Sequence, residues 1–258
     1  MYRRRALPKC GIVTGILCLL AVQTVFAGEA KQEPGETGLV WPETHNVSEA
    51  EGPSAFEVLP ASSPDAESDF GEDVNVNMTT IDEYLGLSDA VYRDMRMTED
   101  PYDYEAIGGD SYLSGMIEGF ELIPFPYLAP TLNMPPELGE GYDGPTLFTV
   151  DEEGHYLPCY EESMSILEEI FPKDQAVLLM CGAGGYAGMT RGLLLDLGWD
   201  ERLVFNTGGY WFYEGEHAVP TPCETGADGE KNYDFSQVPE IQILFDALTP
   251  VSAAGTQE

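Results

Sequence analysis

The chain has 258 residues, with 46 acidic side chains against 11 basic ones, and its formal net charge is −35 at pH 7. So strong a negative charge repels polyanions, and we therefore expect neither nucleic acid nor an anionic membrane surface as a partner. The charge favours solubility and does not constrain the fold.

The first 27 residues have the pattern of a secretory signal. Three arginines and a lysine precede an apolar segment over 10–27, and Val25-Phe26-Ala27 ends that segment with the spacing of a cleavage site. Cleavage would leave 7 basic and 46 acidic residues, a net charge of −39. We expect an exported protein. An uncleaved membrane anchor remains the alternative, because 18 apolar residues can just span a bilayer.

Residues 28–73 are rich in Glu, Pro, Ser, Gly and Ala and hold few large apolar side chains. A segment of this composition cannot bury enough apolar surface to fold alone, so we expect a disordered acidic stalk. A folded domain is expected over 74–215, followed by a C-terminal extension over 216–258.

Short apolar segments alternate with helical patterns through the predicted domain. Strands are expected over 90–96, 117–124 and 203–206, with a hairpin over 146–160 and an amphipathic helix over 161–171. This alternation predicts a single α/β domain, in which a mainly parallel sheet is flanked by helices and the hairpin is an insertion.

The stretch over 176–198 carries the strongest functional signal. An unbroken apolar run over 176–180 predicts a buried strand, Cys181 follows it, and a glycine-rich turn leads into a helix ending near Gly198. Amides of residues 183–186 and the helix N-terminus would stabilise a thiolate or a sulfur-bound anion. Alternatively, Cys181 is only a small buried residue that ends a strand.

Other motifs fall at the same edge of the predicted sheet. Asp94, Arg96, the Cys181 loop and the turn at 208–209 all lie at carboxyl ends of predicted strands, where α/β sheets place their sites. We expect Asp94 and Arg96 to support the loops by hydrogen bonding. The Cys181 loop has no Lys-Ser/Thr and no G-x-G-x-x-G spacing, so a nucleotide-binding loop is excluded.

Four segments, in order, resemble the rhodanese-like domain family over roughly residues 78–215. They are AVYRDMR at 90–96, IEGFELIP at 117–124, AVLLMCGAGGY at 176–186 and LDLGWDERLVFNTGG at 195–209. The resemblance implies a single α/β domain whose loop cysteine carries sulfur as a persulfide, from a small donor such as thiosulfate to a thiol acceptor. It gives that role to Cys181, and the amide cradle to Gly182, Ala183, Gly184, Gly185 and Tyr186.

The loop departs from the family pattern at two positions. Tyr186 stands where the family often has arginine, and Gly182 where a basic residue is common, so the loop lacks a cation. The nearest basic residue, Arg191, lies further along the predicted helix and either supports the site or forms an exposed ion pair. We therefore expect thiosulfate to be a poor donor.

Three functions remain open. The first is a sulfurtransferase or persulfide carrier that uses Cys181, and the second is a binding module of the same fold without turnover. A thiol-redox protein is the least favoured, because no Cys-x-x-Cys motif is present. Cofactors are not expected, and the spacing of the other candidate ligands fits no common zinc site; these ligands are His155, His217, Cys159 and Cys223.

Two features stay undecided by the sequence. In an oxidising compartment Cys159 and Cys223 either form a disulfide or remain free thiols. The oligomeric state is also left open.

Overall fold

A computed structural model describes residues 38–43, 52–227 and 229–252. The predicted signal or anchor over 1–27 lies outside these residues, as does part of the predicted stalk. In the described ranges, no helix combines the length and apolarity needed to cross a bilayer.

Most of the regular elements are short. The strands are β1 (Leu39–Val40), β2 (Ala90–Asp94), β3 (Gly115–Ile117), β4 (Glu121–Leu122), β5 (Phe148–Val150), β6 (Tyr156–Pro158), β7 (Ala176–Cys181), β8 (Val204–Gly209), β9 (Ala218–Pro220), β10 (Cys223–Thr225), β11 (Lys231–Tyr233) and β12 (Gln242–Ile243). The α-helices are α1 (Ala55–Val58), α2 (Phe125–Leu128), α3 (Ser163–Ile170) and α4 (Gly185–Asp196). Short 3-10 helices cover Ile81–Tyr84, Tyr104–Ile107, Pro136–Leu138, Glu201–Leu203, Tyr210–Phe212 and Phe245–Ala247.

A four-stranded parallel sheet organises the fold, in the order β4-β2-β7-β8. β7 lies inside this sheet, with Val91 opposite Val177 on one side and Val177 opposite Val204 on the other. The predicted α/β class and the central strand over 176–180 are confirmed. The β5–β6 hairpin and helix α3 also form where the sequence predicts them.

The two faces of β7 enter different parts of the core. Its six residues are all buried, and because side chains alternate along a strand they divide equally between the faces. Val177 and Leu179 pack with residues of α2, α3 and α4. Leu178 and Met180 pack with residues such as Ile81, which come from 3-10 turns and loops. Helices α2, α3 and α4 thus cover one face of the sheet, and the predicted flanking by helices holds for that face.

The predicted stalk is wrong for the residues that the structure describes. Leu39 is 1% exposed on β1, which pairs with β12, and Ala55 is 1% exposed in the core. We call residues 52–73 the N-terminal strap. Its order depends on the buried Asp73, whose carboxylate accepts hydrogen bonds from the Ser62 hydroxyl and from the backbone amides of residues 75 and 76 at 2.9–3.0 Å. Such side-chain-to-backbone bonds order a segment that is poor in apolar residues.

The C-terminal residues belong to the same domain. β9 pairs with β3, which shares Ile117 with the segment predicted as one strand over 117–124. Gly119, at φ 88°, interrupts that segment, and only Glu121–Leu122 continues it as β4. Ile241 is fully buried next to β12. The expected extension over 216–258 is therefore part of the folded domain through residue 252.

The N-terminal strap packs closely against α4 at Gly188. A Cβ added at Gly188 would lie 2.6 Å from the Phe70 carbonyl oxygen, whereas a Cβ at Gly192, one turn later, would meet nothing within 4 Å. We expect Gly188→Ala to cost about 1–3 kcal/mol and to expose the strap to proteases. Gly192→Ala should instead gain about 0.5–1 kcal/mol, because alanine is the better helix former. Urea unfolding and limited proteolysis measure both, and equal behaviour of the two variants would contradict the packing described.

Candidate functional site

Cys181 is the last residue of β7, and its side chain is held at the N-terminus of α4. Gly184, at φ +95°, turns the chain so that α4 begins at Gly185. Cys181 is 3% exposed. Its sulfur accepts a hydrogen bond from the Gly184 amide at 3.1 Å. The backbone amides of Ala183 and Ala187 also face it with their partial positive charge, which lowers the pKa of the thiol. We call these amides of the Cys181 loop and the first turn of α4 the amide cradle.

The end of β8 packs closely against the Cys181 loop. A Cβ added at Gly209 would lie 2.2 Å from the Gly182 carbonyl oxygen and 2.4 Å from the Ala183 Cα, so only glycine fits there. Asn206 donates through its side-chain amide to the carbonyl oxygens of Gly184, at 3.1 Å, and Phe70, at 2.8 Å. One asparagine therefore ties the loop to the strap. Sequence reasoning assigned it no role.

The surroundings of Cys181 favour the neutral thiol. Burial raises the pKa of the Cys181 thiol, and the negative charge of Asp94 adds to the increase. The amides of Ala183, Gly184 and Ala187 lower the pKa, but by less than burial raises it. The expected stabilisation of a free thiolate is therefore outweighed by desolvation, and the cradle favours an anion only after the sulfur has been deprotonated.

This raised pKa predicts an alkaline pH dependence. The attacking species is the thiolate, whose fraction grows about tenfold per pH unit below the pKa. Modification of Cys181 by iodoacetamide should still accelerate above about pH 8.5, the ordinary cysteine pKa. Peptide-level mass spectrometry separates Cys181 from Cys159 and Cys223. A rate that reaches its plateau below pH 8 would contradict this.

Asp94 and Arg96 meet at the carboxyl end of β2, as the sequence predicts. The Asp94 carboxylate accepts hydrogen bonds from Nε of Arg96, at 3.0 and 3.1 Å, and from Nη2, at 2.6 Å. Nη2 also donates to the Gly115 carbonyl oxygen at 2.7 Å, and the guanidinium lies 4.6 Å from the ring centre of Tyr210. Both side chains are almost fully buried. The pair holds the strand end rigid beside the cradle.

Tyr186 makes contacts of its own in the cavity wall. Its hydroxyl donates to the Asp100 carboxylate at 3.0 Å, and its ring stacks on Phe125. The ring of Tyr104 meets that of Tyr186 edge to face, with the ring centres 6.4 Å apart. Burial raises the pKa of Asp100 and of both phenols. Tyr186 therefore supplies the site with a buried acid–phenol cluster in place of a cation.

Arg191 takes no part in the site. Its Nε donates to the Val204 carbonyl oxygen at 3.1 Å, which ties α4 to the start of β8. Partial burial lowers the pKa of its guanidinium. The guanidinium therefore fixes α4 against the start of β8, and Arg191 is not among the residues that line the cavity.

A cavity of about 370 Å³ opens beside Cys181. Its wall includes Gly182, Ala183, Gly185 and Tyr186 of the loop and α4, together with Arg96 and Trp211. The remaining wall comes from the strap, from the loop over 97–112 and from the segment over 132–138. The loop over 97–112 follows β2 and so begins at the carboxyl edge of the sheet, but its residues carry no recognisable motif.

The other cysteines and histidines form no second centre. Cys159 is half-buried, Cys223 is exposed, and both are free thiols. Across residues 38–43, 52–227 and 229–252, no group of three or more His, Cys, Asp or Glu side chains is placed to hold a metal ion.

No family model, curated protein or solved structure matches this chain. What can be said of the site's chemistry therefore rests on its geometry.

Proposed function

We propose that this protein is a rhodanese-like sulfurtransferase or persulfide carrier in which Cys181 holds the transferred sulfur, and that it acts after export. The observation that carries the proposal is the position of the Cys181 sulfur. It lies at the end of the central parallel strand, accepts a hydrogen bond from the Gly184 amide just before α4, and borders a cavity large enough for a small organic molecule. The export part rests only on the pattern of residues 1–27.

The reaction requires only thiol chemistry. The Cys181 thiolate attacks the outer sulfur of a donor persulfide, R–S–S–H, forming a new S–S bond as the donor's S–S bond breaks. The electron pair of the broken bond leaves with R–S⁻, and the enzyme holds Cys181–S–S–H. An acceptor thiolate, R′–S⁻, then attacks the same outer sulfur and releases the Cys181 thiolate.

The amide cradle acts on the charged species of this cycle. Amides and the α4 N-terminus carry partial positive charge, and they stabilise negative charge on sulfur in a site from which water is largely excluded. A persulfide also ionises more readily than a buried thiol. The cradle therefore stabilises the Cys181 persulfide, which carries the charge, more than it stabilises the free Cys181 thiol.

The charges around the cavity select the donor class. The guanidinium in the cavity wall, that of Arg96, is already paired with Asp94. Asp100 adds a further carboxyl group, and the formal charge of the whole chain is −35. A doubly charged donor such as thiosulfate therefore meets no free cation and a repulsive field. An organic persulfide that reacts as R–S–S–H carries less negative charge than thiosulfate, so the repulsion it meets is weaker.

A donor comparison tests the proposal. Wild type, Tyr186→Arg and the control Tyr186→Phe are incubated with thiosulfate or with an organic persulfide, and sulfur bound to Cys181 is measured. Wild type should load from the organic persulfide and poorly from thiosulfate. Tyr186→Arg should improve thiosulfate use, whereas Tyr186→Phe should not, since it restores no charge. If wild type takes sulfur from neither donor, the transfer function is refuted.

A binding module without turnover is the second candidate. The observation that favours it is the burial of Cys181, which raises the thiol pKa and slows attack. Under this alternative, organic ligands would bind in the cavity while Cys181 stays unmodified at every pH at which the fold persists.

A further inference from the structure

Two side chains of the cavity wall carry a hydrogen-bond donor that has no partner. Nη1 of Arg96 and Nε1 of Trp211 are both shielded from solvent, and in the part of the chain that the structure describes neither finds an acceptor. Arg96 is only 6% exposed, and both side chains line the cavity. Buried donors of this kind are uncommon in folded proteins, where nearly all are satisfied by protein, water or ligand.

The two donors lie close to the reactive sulfur. The Trp211 amide donates to the Gly182 carbonyl oxygen at 3.1 Å, next to Cys181 in the chain. Its indole packs on the same residue, since a Cβ at Gly182 would lie 2.7 Å from Cε2, the ring carbon bonded to Nε1. Arg96 is fixed by Asp94, so its Nη1 cannot turn away without breaking that pair. Both unpartnered donors thus belong to residues of the cavity wall.

The outer part of the same cavity is apolar and exposed. Phe70, Ile107, Tyr112 and Leu132 all line it, and each exposes between 38% and 54% of its surface. Side chains of this type seldom cluster in solvent unless they contact something. The cavity volume of about 370 Å³ lies within the range of sites that enclose small organic ligands.

We propose that the cavity takes an organic acid with an apolar body, its carboxylate on Arg96 Nη1 and Trp211 Nε1 and its alkyl or aryl part on the rim. This inference rests on the proposed function, for which it names the substrate class: a thiol or persulfide that carries a carboxylate and an apolar chain. Two N–H donors without acceptors suit a carboxylate, which offers two acceptor oxygens and no proton. The charge of Arg96 is already balanced by Asp94, so the head group is held by directed hydrogen bonds more than by net charge.

Binding can be measured without sulfur transfer. The protein used is full-length Cys181→Ser, and the probes are straight-chain monocarboxylates from butanoate to decanoate. Their binding is measured by titration calorimetry. Affinity should rise about fourfold with each added methylene, the value expected for burial of apolar surface. Alkylamines of equal length are the counter-probe. The negative charge of the protein attracts amines, so a preference for carboxylates can come only from the local donors.

Two pairs of variants in the Cys181→Ser background separate the binding of the carboxylate from the binding of the alkyl chain. Trp211→Phe keeps an aromatic ring but removes Nε1, and it should lower carboxylate affinity about tenfold without changing the gain per methylene. Trp41→Phe is its control. Leu132→Ser should reduce the gain per methylene, whereas Leu157→Ser, equally exposed but on the β5–β6 hairpin, should not.

The results distinguish this inference from the proposed function. Chain-length-dependent carboxylate binding that Trp211→Phe weakens supports the inference, whether or not wild type loads sulfur. No binding of any probe, equal binding of amines and carboxylates, or an unchanged affinity in Trp211→Phe would overturn it. Sulfur loading of wild type would then still support the transfer function with a different substrate class.

Discussion

Replacing Asp94 with alanine is expected to lower the free energy of unfolding by about 3–5 kcal/mol, the cost of leaving a buried charge without its partner. Asp94 is fully buried and accepts three hydrogen bonds from the Arg96 guanidinium, which is itself 8% exposed. Removal of the carboxylate leaves that guanidinium with only the Gly115 carbonyl oxygen and the face of Tyr210.

The chain offers a matched control for this variant. Asp200 and Arg202 form the same bond pattern at the same spacing, with Nε at 3.0 and 3.2 Å from the two carboxylate oxygens, but Arg202 is exposed and Asp200 is only partly buried. Since solvent screens an exposed pair, Asp200→Ala should shift the unfolding midpoint little. Urea denaturation of the two variants measures the difference. Similar losses for both would show that burial of the Asp94–Arg96 pair has been misjudged.

Gly209→Ala is expected to damage both the fold and the site. The added methyl would overlap the Gly182 carbonyl oxygen and the Ala183 Cα, which are backbone atoms that no rotamer change can move aside. Overpacking of this kind costs about 3 kcal/mol or more, and relief requires displacement of the Cys181 loop. Sulfur loading should therefore fail even under conditions in which the variant is folded.

The measurements for Gly209→Ala are urea unfolding and the loading of Cys181 from an organic persulfide. Gly192→Ala, on the open side of α4, is the control and should load normally. A folded Gly209→Ala that loads at the wild-type rate would mean that the cradle tolerates a shift of β8.

The central strand and the placement of Cys181 could be predicted because they depend on local patterns. An unbroken apolar run identified β7, and the glycines after Cys181 indicated the sharp turn. The Asp94–Arg96 pair could also be predicted, because both residues lie at the carboxyl end of the same predicted strand.

The rest of the site depends on contacts between residues that are distant in the chain. Tyr186 reaches Asp100, 86 residues away, and Asn206 reaches Phe70, 136 residues away. No periodicity records such pairs. The strap was misjudged for a related reason: composition counts apolar residues, whereas its order depends on the hydrogen bonds of Asp73 and on the close approach of Gly188.

The central claim is that the Cys181 sulfur accepts and releases a sulfur atom. Its most direct test is peptide mass spectrometry of the folded protein after incubation with an organic persulfide, before and after addition of an acceptor thiol. We predict that the Cys181 peptide gains the mass of one sulfur atom and loses it to the thiol, while Cys181→Ser gains none. Sulfur found only on Cys159 or Cys223, or on no cysteine at all, would contradict the account.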